Sequence, residues 1–233
     1  MILIILPIPM TSTRLPEKST KWLCGKPMFE YVFDEAAKMR KHYDVDLCVT
    51  SESSTILQKV ESLGCDKLRW RPKNLAEDPY QLVDVIRDVA EHFDFTKYET
   101  LILLQIDNPL TLLEDIQGCY KKHLTNNRHT VVTVVKEVSS ENSFHGYTME
   151  DGVLNAMFSQ DDFDIIPDTY KRTGGIVVAD MKQFIKKGTH LSSPMFGYEL
   201  PRERAVDIDE QYDFSIADML LNERKWKSYL HEK

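Results

Sequence analysis

Four short stretches carry side chains whose types and spacing suit phosphate, metal or nucleotide chemistry. The first is Pro7-Ile8-Pro9-Met10-Thr11-Ser12-Thr13-Arg14-Leu15-Pro16-Glu17-Lys18, which follows an apolar run at the start of the chain. Hydroxyls, an Arg and a Lys can together hold a polyphosphate, the guanidinium as a planar fork of donors and the ammonium as a mobile point charge. The stretch contains neither GxxxxGK[ST] nor GxGxxG, so it is not a Walker A loop or a dinucleotide fingerprint. Its plain alternative is a solvated surface loop. The second stretch is Asp207-Ile208-Asp209. In extended backbone, residues i and i+2 point the same way, so both carboxylates share a face while Ile208 turns inward. That pair suits a hard cation such as Mg²⁺, which takes oxygen ligands and keeps several waters, although a lone DxD also arises by chance on solvated surfaces. The third, Gln105-Ile106-Asp107-Asn108-Pro109, ends an apolar run, and its alternative is a turn in which Asp107 or Asn108 caps a helix. The fourth, Arg69-Trp70-Arg71-Pro72-Lys73, reads as a nucleotide contact or as a solvated strand end.

Other chemistries lack their residues. No pair among the seven histidines has metal-ligand spacing, no GxSxG is present, and Cys24, Cys48, Cys65 and Cys119 stand singly, without CxxC. The four cysteines therefore read as reduced, mostly buried thiols.

The elements that must position these stretches follow from hydrophobic periodicity. Ile2–Ile8, Val45–Thr50, Leu101–Ile106, Thr130–Val135 and Gly174–Ala179 are short continuous apolar runs, as in strands covered on both faces. Helical spacing marks Met28–His42, Ser53–Leu63, Leu82–Phe93, Leu112–Leu124 and Asp213–Glu223. Asp78-Pro79 reads as the start of the third of these, an N-cap acceptor followed by a residue that needs no N–H. Between Phe144 and Phe158 the turn signal Glu150-Asp151-Gly152 separates short strand-like pieces, which predicts a hairpin-like excursion. The β-α alternation predicts an α/β fold of three layers, a mostly parallel Rossmann-like sheet between helices. The simplest division is one domain over 1–233 with a small β excursion over 140–165. Around Ser192–Tyr198 a loop is expected, with Phe196 and Tyr198 as its aromatic candidates.

Composition narrows the partners. Aromatic residues at 10% and long apolar runs fill a core, which excludes disorder. A formal net charge of −8 disfavours a nucleic-acid binder that works through a bulk basic field. Met1–Ile8 is too short to span a bilayer and lacks a basic flank and a cleavage site, so a cytoplasmic protein with no membrane partner is expected.

Taken together, the stretches resemble the sugar-acid cytidylyltransferases, the CMP-acylneuraminate and CMP-KDO synthetases. Ser12-Thr13-Arg14-Leu15-Pro16, Lys18 and Gly25-Lys26-Pro27-Met28 are similar to the KDO branch, and so is Asp107 after Gln105. Arg71-Pro72-Lys73-Asn74-Leu75-Ala76-Glu77-Asp78, Leu103-Leu104-Gln105, Glu114-Asp115-Ile116, His145-Gly146-Tyr147, Tyr170-Lys171-Arg172-Thr173-Gly174-Gly175-Ile176 and Val206-Asp207-Ile208-Asp209 are similar to the acylneuraminate branch. The likeness runs over nearly the whole chain, in the expected order.

The resemblance implies a nucleotide-diphospho-sugar transferase type of fold and a reaction in which the anomeric hydroxyl of a 2-keto-3-deoxy sugar acid attacks the α-phosphorus of CTP. The products are a CMP-sugar, of use in surface glycans such as lipopolysaccharide or capsule, and pyrophosphate. It implies Arg14, Lys18 and Asp209 as catalytic residues, and Ser12, Arg14, Lys18, Arg71 and Ala76 around the nucleotide. It further implies Gln105, Tyr170 and Arg172 around the sugar, and Asp207, Asp209 and Asp107 as ligands of Mg²⁺. A homodimer is implied, with the Phe144–Phe158 excursion as the exchanged element. Three departures stand out: Pro9 replaces an Arg, Met10-Thr11 replaces a Gly pair, and Lys18-Ser19 replaces Lys-Asn. A GT-A-type glycosyltransferase using a nucleotide-sugar and a catalytically degenerate binding subunit are the alternatives.

Overall fold

The computed structural model describes residues 1–12, 14–75, 81–138, 142, 144, 146–158 and 167–231. Its first strand, β1 (Ile2–Pro7), is buried at every position. That burial explains why the run is continuous rather than alternating. Ile2, Ile4 and Leu6 join an apolar cluster on one face of the sheet, and Leu3 and Ile5 join another on the opposite face. A small hairpin of β2 (Trp22–Leu23) and β3 (Lys26–Pro27) leads into α1 (Met28–Lys38). Next come β4 (Val45–Ser51), α2 (Ser54–Ser62), β5 (Lys67–Trp70), α3 (Leu82–His92), β6 (Thr100–Leu104), α4 (Leu113–Thr125) and β7 (Thr130–Lys136). The hairpin β8 (Tyr147–Glu150) and β9 (Val153–Ala156) precedes β10 (Tyr170–Asp180), α5 (Met181–Lys187), β11 (Met195–Glu199) and α6 (Gln211–His231).

The seven-stranded sheet runs β11-β7-β10-β6-β1-β4-β5. Strand β10 pairs antiparallel with both β6 and β7, and every other neighbouring pair is parallel. The mostly parallel expectation holds. Helices α1, α2, α4 and α6 cover the face of Ile4. On the other face, Ile86 and Val89 of α3 and Phe184 of α5 pack over Leu3 and Ile5.

The predicted elements form with small shifts of boundary. Ser53 caps α2, its Oγ accepting from Ile56 N, and the Asp151-Gly152 turn has both residues at positive φ, as a tight hairpin requires. Helix α3 spans Leu82–His92, with the Asp84 carboxylate accepting from Gln81 N at 3.0 Å; Asp78-Pro79 lies outside the described residues. One expectation needs correction. The Ser192–Tyr198 stretch supplies strand β11 rather than a loop. The Tyr198 ring lies so close to Gly118 of α4 that a Cβ there would come within 2.4 Å of it, so this ring packs between sheet and helix.

His123 of α4 is fully buried, with Nδ1 2.8 Å from the His129 carbonyl. Burial holds its pKa below the ordinary value, against the pull of that hydrogen bond. The unfolded chain takes up this proton near pH 6.5 and the folded chain resists it. This contribution to stability is therefore complete above the unfolded pKa and is lost as pH falls through it. Urea unfolding at pH 8 and pH 5.5 is expected to show lower stability at the acid value, and His123→Gln is expected to shrink that difference. An unchanged difference would refute the assignment.

Candidate functional site

The carboxyl ends of β1, β4 and β6 open toward one side of the sheet, where ligands of open α/β folds settle. Strand β1 runs into the first loop. Ser12 Oγ accepts from Leu15 N at 3.3 Å and closes a turn, and Leu15 is buried. Beyond that turn Lys18 opens a short 3-10 helix, Lys18–Thr20. Ser19 Oγ donates back to the Pro9 carbonyl, tying the two ends of the loop together.

Lys18 is the centre of the site. Its ammonium donates to the Ile208 carbonyl at 2.7 Å and lies 3.0 Å from Asp107 Oδ1 and 3.9 Å from Asp209 Oδ1. Arg14 meets Asp209 with two parallel bonds, Nη1 to Oδ2 at 3.0 Å and Nη2 to Oδ1 at 2.7 Å. The two aspartates of Asp207-Ile208-Asp209 are set by their neighbours. Ile208 is fully buried and its N–H donates to the Asp107 carbonyl at 2.8 Å. Asp213 accepts from the Asp209 and Glu210 N–H groups as the chain enters α6. Asn108 Nδ2 donates to Asp207 Oδ1 at 3.2 Å.

The Gly174-Gly175 pair brings β10 close to this cluster at an irregularity in its register. Gly174 has φ +79°, and a Cβ on it would stand 3.6 Å from Gln105 Nε2 and 3.7 Å from Asp207 Oδ2. A Cβ on Gly175 would come within 2.8 Å of Asn108 Oδ1, so any side chain there would push Asn108 off Asp207. Gln105 donates to the Gly174 carbonyl at 2.9 Å.

Charge crowding is uneven across the three aspartates. Burial raises the Asp107 carboxyl, opposed by Lys18. Asp207 keeps one side in solvent. Crowding by protein on its other sides, followed by repulsion from Asp107 and Asp209, raises it to about 6. Asp207 is thus the least compensated of the three. Among the described residues, no three His, Cys, Asp or Glu side chains gather tightly enough to surround a metal unaided. The donor set nonetheless fits Mg²⁺, which binds through one or two carboxylates and completes its shell with water and substrate phosphates. Asp207 and Asp209 are the residues that would do so, Asp209 by giving up its exposed pair with Arg14, whereas Asp107 is held by the buried Lys18.

The other expected residues are placed as follows. Arg71 is buried and pairs with Glu52 at 2.5 Å. Ala76 lies outside the described residues, as do Thr13 and His145. Tyr170 and Arg172 are exposed on β10. Lys171, Arg172 and Asp207 line one cavity of about 760 Å³. Lys171 acts on the Asp207 carboxylate, and Arg172 stands close enough to His190 to disfavour its protonated form. Sequence reasoning passed over Lys171 as a site residue because two adjacent cations on β10 have similar chemistry and the sequence does not say which one lies by the aspartates. It also passed over Glu52, although a charged residue immediately beyond the end of β4 is itself a positional signal.

The family model described as Cytidylyltransferase matches residues 3–148. An N-acylneuraminate cytidylyltransferase of Streptococcus agalactiae is 22% identical over 90% of this chain and 51% of its own length, so the chain spans about half of that relative. A CMP-N,N'-diacetyllegionaminic acid synthase of Legionella pneumophila is 24% identical over 94% of this chain and 96% of its own. Among solved structures, CMP:2-keto-3-deoxy-manno-octonic acid synthetase complexed with CTP superposes with a TM-score of 0.68 at 15% identity, covering 96% of this chain and 99% of that one. That last likeness shows the Rossmann-like fold. No described helix is long and apolar enough to cross a membrane.

The two cations of the first loop are expected to differ in their effect on stability. Lys18→Met leaves Asp107 without its partner and is expected to cost about 3 kcal/mol. The Arg14–Asp209 pair is largely solvated, with the side chains 63% and 39% exposed, so Arg14→Gln is expected to cost less than about 1 kcal/mol. Urea denaturation of both variants checks the order, and equal losses would refute it.

Proposed function

Because the match over residues 3–148 covers more than half of the chain, this protein belongs to the cytidylyltransferase family, and from that premise we propose that it couples CTP to a 2-keto-3-deoxy sugar acid of the nonulosonate or KDO type. The observation that carries this reading is the convergence of Arg14 and Lys18 with Asp107, Asp207 and Asp209 in one cluster of charges.

In the proposed reaction the anomeric hydroxyl attacks the α-phosphorus, the bond to the β-phosphate oxygen breaks, and the hydroxyl proton leaves to solvent or a phosphate oxygen. Such a step needs positioning and neutralisation of charge rather than a covalent nucleophile. Arg14, exposed and hinged only by its pair with Asp209, is free to turn onto the triphosphate. Lys18 is fixed, and supplies positive charge from a buried point to the departing pyrophosphate. Asp207 and Asp209 would hold Mg²⁺. When bound, that ion neutralises phosphate oxygens and lowers the pKa of the attacking hydroxyl. Ser12 shapes the loop, and Gln105 offers its amide to sugar hydroxyls at the mouth of β6. Lys171 and Arg172 form no ion pair among the described residues and line the same cavity as Asp207. They would receive the substrate's carboxylate. Membership of the family favours nucleotidyl transfer over glycosyl transfer from a nucleotide-sugar.

We also propose a homodimer built on the β8-β9 hairpin. Met149 and Leu154 face each other across its two strands and are 72% and 62% exposed. Tyr147, two residues before Met149 on β8, shares their face, and Val153, Met157 and Phe158 are exposed nearby in the chain. Exposed large apolar side chains gathered on one small hairpin mark an interaction site.

Pyrophosphate release from CTP with Mg²⁺, measured over a panel of nonulosonic and octulosonic acids, is expected for at least one acid. Asp209→Asn is expected to lower the rate by about 100-fold or more while the fold is retained. No release across the panel from folded protein would overturn the assignment. Light scattering is expected to give twice the chain mass, falling to a monomer in Met149→Glu/Leu154→Glu. A monomeric wild-type protein would refute the dimer.

A further inference from the structure

The backbone donors of the first loop are already occupied by an anion that belongs to the protein. Glu52 lies one residue beyond the end of β4. One of its oxygens, Oε1, accepts from both Met10 N at 2.5 Å and Thr11 N at 3.3 Å. The other, Oε2, accepts from Arg71 Nη2 at 2.5 Å. The Arg71 and Glu52 side chains are only 3% and 7% exposed. Burial opposes the ionisation of Glu52, but the bonds from Arg71 and Met10 outweigh it and hold the carboxyl below its ordinary range. The Arg71 backbone is anchored as well, its N–H donating to the Ser51 carbonyl at 2.9 Å. Two consecutive N–H groups converging on one oxygen form the donor pattern that loops use to hold a phosphate. Here that pattern points toward β4 and is filled.

We propose that Glu52 and Arg71 form a built-in anion clamp that fixes the first loop, so that Met10 and Thr11 contribute no backbone donors to the nucleotide and the triphosphate is held by the loop's side chains. This rests on the reading of the protein as a CTP-using enzyme. Glu52 is a positioning residue, because it acts through the loop that presents Ser12, Arg14 and Lys18. The clamp uses one nitrogen of the Arg71 guanidinium, Nη2, on Glu52, while its buried Nε has no hydrogen-bond partner among the described residues. Neither Met10 nor Thr11 is at positive φ. The clamped loop therefore takes a conformation open to residues with side chains, and glycine is not required at either position.

Amide hydrogen exchange of the ligand-free protein reads the clamp directly. The Met10 and Thr11 amides are expected to exchange about tenfold or more faster in Glu52→Ala than in wild type, with Glu52→Gln, which keeps an acceptor but loses the charge facing Arg71, in between. Unchanged exchange in a folded variant overturns the proposal. In steady state, Glu52→Ala is expected to raise KM for CTP about tenfold or more while kcat at saturating CTP stays within about threefold, and Glu52→Asp is expected to recover part of the loss. A general loss of structure would lower the active fraction, and hence apparent kcat, without moving KM. An unchanged KM in folded enzyme therefore overturns the proposal too. A wild-type protein silent toward CTP would remove the reaction class while leaving the exchange measurement to decide the clamp. If Glu52→Ala does not fold, Glu52→Gln carries both measurements.

Discussion

One buried ammonium holds the site together. Lys18 comes from the loop after β1, and the carbonyl it donates to belongs to Ile208, 190 residues away in sequence. Its carboxylate partner, Asp107, comes from a third segment beyond β6. A buried ammonium without partners is costly by several kcal/mol. The position is therefore tolerable only where all three segments have closed around it. This makes the geometry of the site a consequence of folding. The Ile208 N–H that donates to the Asp107 carbonyl repeats the same stitch from the backbone side, and the apolar Ile208 side chain pins the segment to the core. Of the three residues in Asp207-Ile208-Asp209, the middle one does the placing and the outer two are presented.

The supporting sheet was largely legible from sequence because its physics is periodic. β1, β4 and β6 are covered on both faces, so their apolar runs are continuous, and the helices between them carry stripes at helical spacing. The elements that escaped are those without a strong period. The two-residue strands β2 and β3 and the seven-residue α5 are too short to show one. Edge strand β11 alternates between exposed and half-buried positions and carries a glycine. It is defined by its pairing with β7 and by the fit of Tyr198 against Gly118, which are facts of three dimensions.

The site was legible to a different degree. Arg14, Lys18 and Asp107 are placed by loops that follow strand ends, Asp207 and Asp209 by the segment that enters α6, and the structure brings them together. What sequence could not give is which donors are already taken. Arg71 has the chemistry of a phosphate ligand, and only the position of Glu52 reveals that its guanidinium is engaged. Lys171 and Arg172 are adjacent cations of similar chemistry, and only the structure shows that Lys171 acts on Asp207 while Arg172 lies beside His190.

Charge then constrains what the cleft can accept. Two cationic heads stand among three carboxylates, so the ligand-free cluster is net negative when all are ionised. A triphosphate brings several further negative charges. The bidentate bond of Arg14 to Asp209 and the ion pair of Lys18 to Asp107 satisfy both cations internally. A nucleotide that simply recruited them would leave two aspartates uncompensated beside phosphate oxygens. The raised carboxyl of Asp207 is the visible sign of that stress in the free protein. Two remedies exist: protonation of an aspartate, which discards the negative charge that a metal needs, or a divalent cation shared between carboxylate and phosphate. In the proposed reaction the second would keep every ligand in its ionised form and would let Arg14 serve the nucleotide and Asp209 the metal. The acid pair before α6 and the cations of the first loop thus form one electrostatic unit, in which the exposed Arg14–Asp209 pair is the part able to exchange partners and the buried Lys18–Asp107 pair is the part that stays.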